Sequence, residues 1–190
     1  MSLLSKLFKS IRKNSVTDVP PEDFTFLVRL AEIISHNDEN VVSAVAECVG
    51  NVNLYAEKNK SRYYAEWAVD IKECDMETLC LTGFISELEY GGYLAVADSS
   101  CCLDDFLFAV NQLKTLETDL SDIELSEEEA IQVWCEAVNI HLKGKPILCG
   151  VDIGGEDWNL IWLTKEELDE VFELCKGKRL YISYADCCYV

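Results

Sequence analysis

Two groups of carboxylates are the residues of this sequence best suited to chemistry. Each group surrounds the end of a predicted strand: Asp98, Asp104 and Asp105 form the first, and Asp152, Glu156 and Asp157 form the second. If the two strands lie side by side, Asp98, Asp104, Asp152 and Asp157 meet at one end of a sheet, where their oxygens would suit Mg²⁺ or Ca²⁺. The alternative is that these acids form turns and cap helices. The second group lacks the spacing of an EF-hand calcium loop, so both interpretations stay open.

The cysteines and histidines show no catalytic or zinc-binding spacing. The ten cysteines include no C-x-x-C motif, which zinc ribbons and thioredoxin-like sites need. His36 and His141 both fall at predicted helix ends, and no G-x-S-x-G motif occurs, so a nucleophile–histidine pair is disfavoured. Cys101 and Cys102 precede a predicted helix, whose N-terminus would lower a thiol pKa, and ordinary packing is the alternative. Neither glycine pair opens a helix, so we expect no phosphate-binding loop and no cofactor.

Charge is distributed unevenly along the chain. Residues 1–13 carry four basic side chains and no acid, whereas the remaining 177 residues carry 12 basic and 35 acidic side chains, a net charge of −23. Such a body repels phosphate backbones, so direct nucleic-acid binding is not expected. It would attract a basic protein and speed the encounter at low salt. The alternative is that the acidity serves only solubility.

The basic N-terminal segment has an amphipathic pattern. Leu4, Leu7, Phe8 and Ile11 fall on one stripe of a predicted helix over residues 3–13, with lysines on the opposite side. Such a helix would bind an anionic membrane surface only marginally, because it is short. The favoured interpretation is that the segment docks on the acidic body of its own chain or on a neighbouring subunit, or is disordered. We see no secretory signal and no membrane-spanning run, and we expect a cytoplasmic protein with reduced thiols.

The elements that must position these residues alternate between helical and strand patterns. The sequence predicts helices near residues 24–36, 38–50, 75–90, 104–113, 127–142 and 165–177, and strands near 65–71, 93–97, 147–153, 158–163 and 180–184. Capping-box motifs at Ser126–Glu129 and Thr164–Glu167 predict the starts of the last two helices. This order predicts an α+β fold in which a mixed sheet of about four to five strands has helices mainly on one face. We expect one acidic domain at 24–190, preceded by the N-terminal helix at 1–13 and a linker at 14–23.

Part of the chain resembles a known family. The stretch from Phe84 to Asp98, with its Gly91-Gly92-Tyr93-Leu94 turn into a strand, and the helix opening Leu103-Asp104-Asp105-Phe106 are similar to a family of small bacterial domains of unknown function. The hairpin at 148–162 and the helix and strand that follow it are similar too, so the resemblance spans roughly residues 65–184. Where that family often has Asp-Trp-Lys, the strand of this chain ends Ala97-Asp98-Ser99, without the tryptophan and the lysine. The resemblance implies a fold and a bacterial origin, and it implies no activity.

These observations favour a non-enzymatic protein-binding domain. One concrete version is an antidote that masks a basic partner, such as a toxin nuclease, by complementary charge. Trp158 and Trp162 are candidate anchors at the partner surface, although filling one face of the sheet is the alternative role for both. The competing hypotheses are a metal-dependent hydrolase that uses the clustered aspartates and a membrane-surface adaptor that uses the N-terminal helix.

Overall fold

The structure, a computed structural model, describes residues 24–65, 69–114, 120 and 122–188. The predicted N-terminal helix, with its candidate docking residues Leu4, Leu7, Phe8 and Ile11, and the predicted linker at 14–23 lie outside the described residues.

The first part of the described chain is helical. Its helices are α1 (Thr25–Ile34), α2 (Glu39–Gly50), α3 (Val52–Lys58), α4 (Lys60–Ala65) and α5 (Met76–Gly91). Aspartates begin two of them: the Asp38 carboxylate accepts from the Asn40 N–H at 3.0 Å, and the Asp75 carboxylate accepts from the Thr78 N–H at 2.7 Å. Gly92 ends α5 with a φ of 79°, a left-handed conformation that glycine adopts without steric cost.

The second part alternates strands and helices. Its elements are β1 (Ala95–Ala97), α6 (Leu103–Gln112), α7 (Ile131–His141), β2 (Ile147–Asp152), β3 (Trp158–Leu163), α8 (Lys165–Leu174), β4 (Tyr181–Tyr184) and the short helix α9 (Ala185–Cys188). The capping box predicted at Thr164 is confirmed, because the Thr164 side chain accepts from the Glu167 N–H while the Glu167 carboxylate accepts from the Thr164 N–H.

The four strands form one sheet in the order β1-β3-β2-β4. Each neighbouring pair is antiparallel. Because β2 lies between β3 and β4, the β3–α8–β4 connection is a split βαβ unit whose parallel strands do not touch. The predicted α+β class is therefore confirmed with four strands, but the described sheet is antiparallel throughout and not mixed.

Both faces of the sheet are covered, and each side has its own core. Alternate strand residues such as Cys149, Val151 and Ile182 face a first core with α1, α2, α3, α5 and α8. The other alternating positions of the strands, including Leu160 and Trp162 on β3, face a second core with α6 and α7. Most of the described helices thus lie on one face, as expected, and a thinner layer covers the other.

Two predicted elements are wrong. The strand predicted at 65–71 is absent from the described part of this stretch: α4 ends at Ala65, and Val69 is buried in an irregular connection where its N–H donates to the Tyr63 carbonyl at 2.9 Å. The capping box predicted at Ser126 does not start a helix. The segment at Ser126 forms a turn, and the helix begins later, at Ile131, with Ala130 as its N-cap. Across the described residues, no helix has the length and apolar character that crossing a membrane requires.

Candidate functional site

The pairing of β1 with β3 brings the two predicted carboxylate groups to one end of the sheet. Ala97 of β1 lies opposite Trp158 of β3, so Asp98 and Asp157 leave the sheet side by side. Asp152 ends β2, on the other side of β3. The ends of these strands therefore meet at one end of the sheet, although β3 separates β1 from β2.

A cleft of about 570 Å³ opens at this end of the sheet, and we call it the acidic cleft. It is lined by Ser99, Asp152, Gly154, Gly155, Glu156, Trp158 and Cys188. None of these described lining residues is basic. Asp98 precedes Ser99 in the chain, and Asp157 lies between Glu156 and Trp158, so these two acids adjoin the acidic cleft without lining it.

Asp157 is a largely buried acid beside the acidic cleft. Its residue surface is only 8% exposed, and it makes no hydrogen bond or ion pair with the described residues. Burial raises the pKa of its carboxyl, and the charges of Asp98 and Glu156 raise the pKa further. The folded chain therefore holds a carboxylate where its charge is disfavoured.

The other predicted metal ligands have local roles or are exposed. The Asp98 carboxylate accepts from the Ser100 hydroxyl at 2.6 Å and from the Ser100 N–H at 2.7 Å, and these bonds lower its pKa. The Asp152 carboxylate accepts from the Gly154 N–H at 2.6 Å. Asp104 lies exposed in the first turn of α6. Among the described residues, no three His, Cys, Asp or Glu side chains are grouped so that they could hold a metal ion.

The two candidate tryptophan anchors are largely enclosed. Trp158 lines the acidic cleft with 8% of its surface exposed, and Trp162 lies in the second core with 2% exposed. Both project from β3 to the same face of the sheet, the placement that the alternative, sheet-filling interpretation expected. The Trp162 indole N–H has no hydrogen-bond partner among the described residues.

The histidines and cysteines lie in structural settings. His36 Nδ1 lies 3.2 Å from Glu167 Oε1, where it links the end of α1 to the start of α8. All ten cysteines are free, and six of them are buried. Burial and the nearby Asp105 raise the pKa of Cys101, which fits the alternative of ordinary packing.

A partly buried polar cluster between α3, α4 and α5 was missed by the sequence analysis. Arg62 Nη1 donates to Glu87 Oε1 at 2.8 Å, the Tyr55 hydroxyl donates to the same oxygen, and the Arg62 guanidinium also binds the Ser86 hydroxyl. The polar groups of this cluster satisfy one another, which indicates that it fastens α4 to α5. No local pattern reveals it, because Arg62 and Glu87 are 25 positions apart.

A second cleft of about 550 Å³ lies between α7 and α9. Its described lining consists of Gln132, Val133, Glu136, Asp186 and Cys187, again without a basic residue. The Gln132 amide donates to the Asp186 carbonyl at 2.8 Å, which ties α9 to α7.

The fold and the clefts define a class of protein: an α+β domain with a split βαβ unit and acidic surface clefts. The chain belongs to the family described as a domain of unknown function (DUF6630), whose family model matches residues 26–185. The expected resemblance to a small domain of unknown function is therefore confirmed, and it reaches further toward the N-terminus than residue 65. No curated protein and no solved structure matches the chain.

Proposed function

We propose that the chain is a protein-binding domain whose acidic cleft receives lysine or arginine side chains of a basic partner. The observation that carries this proposal is Asp157, a buried carboxylate beside Asp98 and Glu156 with no described cation near it. Uncompensated buried charge is unfavourable in a free protein, and an incoming cation would relieve it. Proteins retain such destabilised arrangements mainly at functional sites.

The net charge of the whole chain also favours a basic partner. A net charge of −19 attracts a basic surface over long distances and raises the rate of encounter. Within the acidic cleft, carboxylates would form charge-assisted hydrogen bonds with a guanidinium or an ammonium group. The Trp158 ring, which lines the acidic cleft, would add a cation–π contact.

The test is an affinity purification from the cells in which the protein is native. The bait is the full chain in three forms: unchanged, with the cleft changes Asp98→Asn, Asp152→Asn and Glu156→Gln, and with the control changes Glu39→Gln, Glu47→Gln and Glu57→Gln on α2 and α3. Both sets remove three charges, and Asn keeps the acceptor that each aspartate uses in its turn.

We expect a stoichiometric basic partner that the unchanged and control forms retain and that the cleft form loses. Binding should weaken as the salt concentration rises. Recovery of no basic partner, or equal recovery by all three forms, would refute the proposal.

An antidote is the more specific version of this function. It requires that the partner has an activity and that this activity falls when the chain is added in equal amount. If the chain binds the partner without changing its activity, the protein-binding proposal stands and the antidote version is refuted.

A further inference from the structure

Helix α7 carries a second apolar stripe on its outer side. Its core face consists of Ile131, Trp134, Cys135 and Val138. Val133, Ala137 and Ile140 follow one another at i, i+4 and i+7, the spacing that places three side chains on one face of a helix. Val133 is 39% exposed, Ile140 is 69% exposed, and Ala137 is partly exposed. We call these three residues the outer stripe.

Packing within one chain does not account for the outer stripe. A surface helix usually has one apolar stripe toward its core and polar residues on the opposite face, and a helix that is apolar on more than one face is usually buried on more than one face. An isolated exposed apolar side chain needs no explanation. Three in register on a helix that already has a core face suit contact with another helix.

The two ends of α7 carry opposite charges. Exposed Glu127, Glu128 and Glu129 precede the helix, and exposed Lys143 and Lys145 follow it. None of these five side chains forms an ion pair with a described residue. Most other described lysines and arginines, by contrast, bind an acid or lie over an aromatic ring. These charges favour the helix dipole, but the dipole does not explain the apolar stripe between them.

We propose that the outer stripe is the interface of a homodimer in which α7 packs antiparallel against α7 of a second copy. A twofold axis perpendicular to the two helices places the same apolar stripe on both sides of the contact. It also brings the acidic end of each helix beside the basic end of the other, so the unpaired charges find partners at both ends. A parallel pair would place acid against acid and is disfavoured.

Repulsion between two acidic chains opposes this pairing only over short distances. Each copy has a net charge of −19, but at about 0.15 M salt, charges more than about 8 Å apart are largely screened. Glu136 is the local exception. It adjoins Ala137 near the middle of the outer stripe, so its two copies approach each other across the twofold axis. The inference does not depend on the acidic cleft or on the proposed basic partner.

Sedimentation velocity of the full chain over a range of concentrations tests the inference. We expect a monomer–dimer equilibrium that Ile140→Ser weakens by about a hundredfold, since burying an aliphatic side chain favours association by about tenfold and each dimer buries two. The matched change Leu54→Ser, at a residue of α3 that is 65% exposed, should leave the equilibrium unchanged. Glu136→Gln should strengthen the dimer by roughly two- to fivefold, the range of a surface charge pair.

Exchange of the end charges tests the antiparallel arrangement. One variant carries Lys143→Glu and Lys145→Glu, and the other carries Glu128→Lys and Glu129→Lys. Each variant alone places like charges together at both ends of the helix pair, so each should be largely monomeric. An equal mixture restores opposite charges at both ends, so the two variants should form a heterodimer, which fluorescence-detected sedimentation follows when each variant carries a different label.

Three results would overturn the inference. They are an unchanged chain that stays monomeric at every concentration, a dimer that Ile140→Ser and Leu54→Ser weaken equally, and charge variants that do not pair when mixed. Because Ile140 and Leu54 both lie outside the cores, neither change should unfold the chain, and circular dichroism verifies this. The strengthening expected of Glu136→Gln adds a result that partial unfolding would not produce.

Discussion

The environment of Asp157 favours the protonated form of its carboxyl. Its folded-state pKa is raised, so the folded chain binds more protons than the unfolded chain between the two pKa values. The stabilising effect of protonation is complete at low pH and is lost as the pH rises through the folded-state pKa. Asp157→Asn mimics the neutral acid, so it should raise the free energy of unfolding at pH 7. That gain should shrink as the pH falls toward about 4, near the ordinary aspartate pKa.

Asp38 is a suitable control because its pKa is shifted in the opposite direction to that of Asp157. The Tyr93 hydroxyl, at 2.9 Å, and the Asn40 N–H bind its carboxylate and lower its pKa. Its stabilising effect is present at neutral pH and is lost as the pH falls through the folded-state pKa. Asp38→Asn keeps a good helix cap but should cost stability at pH 7 and little at low pH. Urea unfolding across this pH range checks both variants, and parallel pH profiles would contradict the assignment.

Two tryptophans of the second core differ in one hydrogen bond. Trp134 Nε1 donates to the Ser126 carbonyl at 2.8 Å, whereas the Trp162 indole N–H has no described partner, and both rings are at least 97% buried. Replacement by Phe removes a similar volume in each case. Trp134→Phe should therefore cost about 1 kcal/mol more than Trp162→Phe, which is the usual net value of one hydrogen bond. Urea unfolding measures the difference, and a larger cost for Trp162→Phe would show that cavity shape decides instead.

At the scale of elements, Gly83 explains how α5 approaches its neighbours. A Cβ at this position would lie 2.5 Å from Cys48 Sγ and 2.7 Å from the Tyr63 hydroxyl. Alanine favours a helix over glycine by about 1 kcal/mol, but forced overpacking costs roughly 1–3 kcal/mol. We expect Gly83→Ala to destabilise the chain by about 1 kcal/mol, as measured by urea unfolding.

Gly50 is the matched position for this prediction. It is the last residue of α2, and a Cβ there would meet no atom within 4 Å. Gly50→Ala should therefore be neutral or stabilising by up to about 1 kcal/mol. If both glycine changes stabilise the chain, the close packing of α5 against Cys48 and Tyr63 is not what the structure describes.

The two predicted capping boxes show what local sequence can and cannot decide. Thr164 and Ser126 carry the same motif, but only Thr164 is followed at once by residues that reach a core, such as Leu168. The Ser126 carbonyl is instead bound by the Trp134 indole, a tertiary contact that keeps the segment beside α7. The helix patterns were predictable because they depend on neighbouring residues. The outcome at Ser126 was not, because it depends on packing.

At the scale of the whole molecule, the sequence predicted which strands exist better than how they pair. The two central strands, β2 and β3, are buried along nearly their whole length. Their continuous apolar runs are typical of strands covered on both faces, a signal that the prediction of helices mainly on one face did not use. The meeting of Asp98 with the β2–β3 hairpin could be stated only as a condition, because it depends on β1 pairing with β3. The burial of Asp157 could not be predicted, since it requires the second core to be in place.

Net charge sets the last expectation for the whole molecule. A folded chain with a net charge of −19 holds its carboxylates closer together than the unfolded chain does, so self-repulsion lowers its stability. Salt screens that repulsion but also weakens ion pairs. Pairs such as Glu47–Lys58 are more than half exposed and contribute little, while Arg62–Glu87 is shielded at 19% and 13% exposure. Added salt should therefore stabilise the folded chain, because it screens more repulsion than attraction.

We expect the melting temperature to rise as sodium chloride increases from 0.05 to 0.5 M. A gain of about 1 kcal/mol corresponds to roughly 2–4 °C for a chain of this length. Near the isoelectric point of about 4.3 the net charge vanishes, so the same salt series should have little effect there. That comparison separates screening from general salt effects on apolar burial, which would act at both pH values. A melting temperature that falls with salt at pH 7 would mean that attraction within the described ion pairs outweighs the repulsion among the acids.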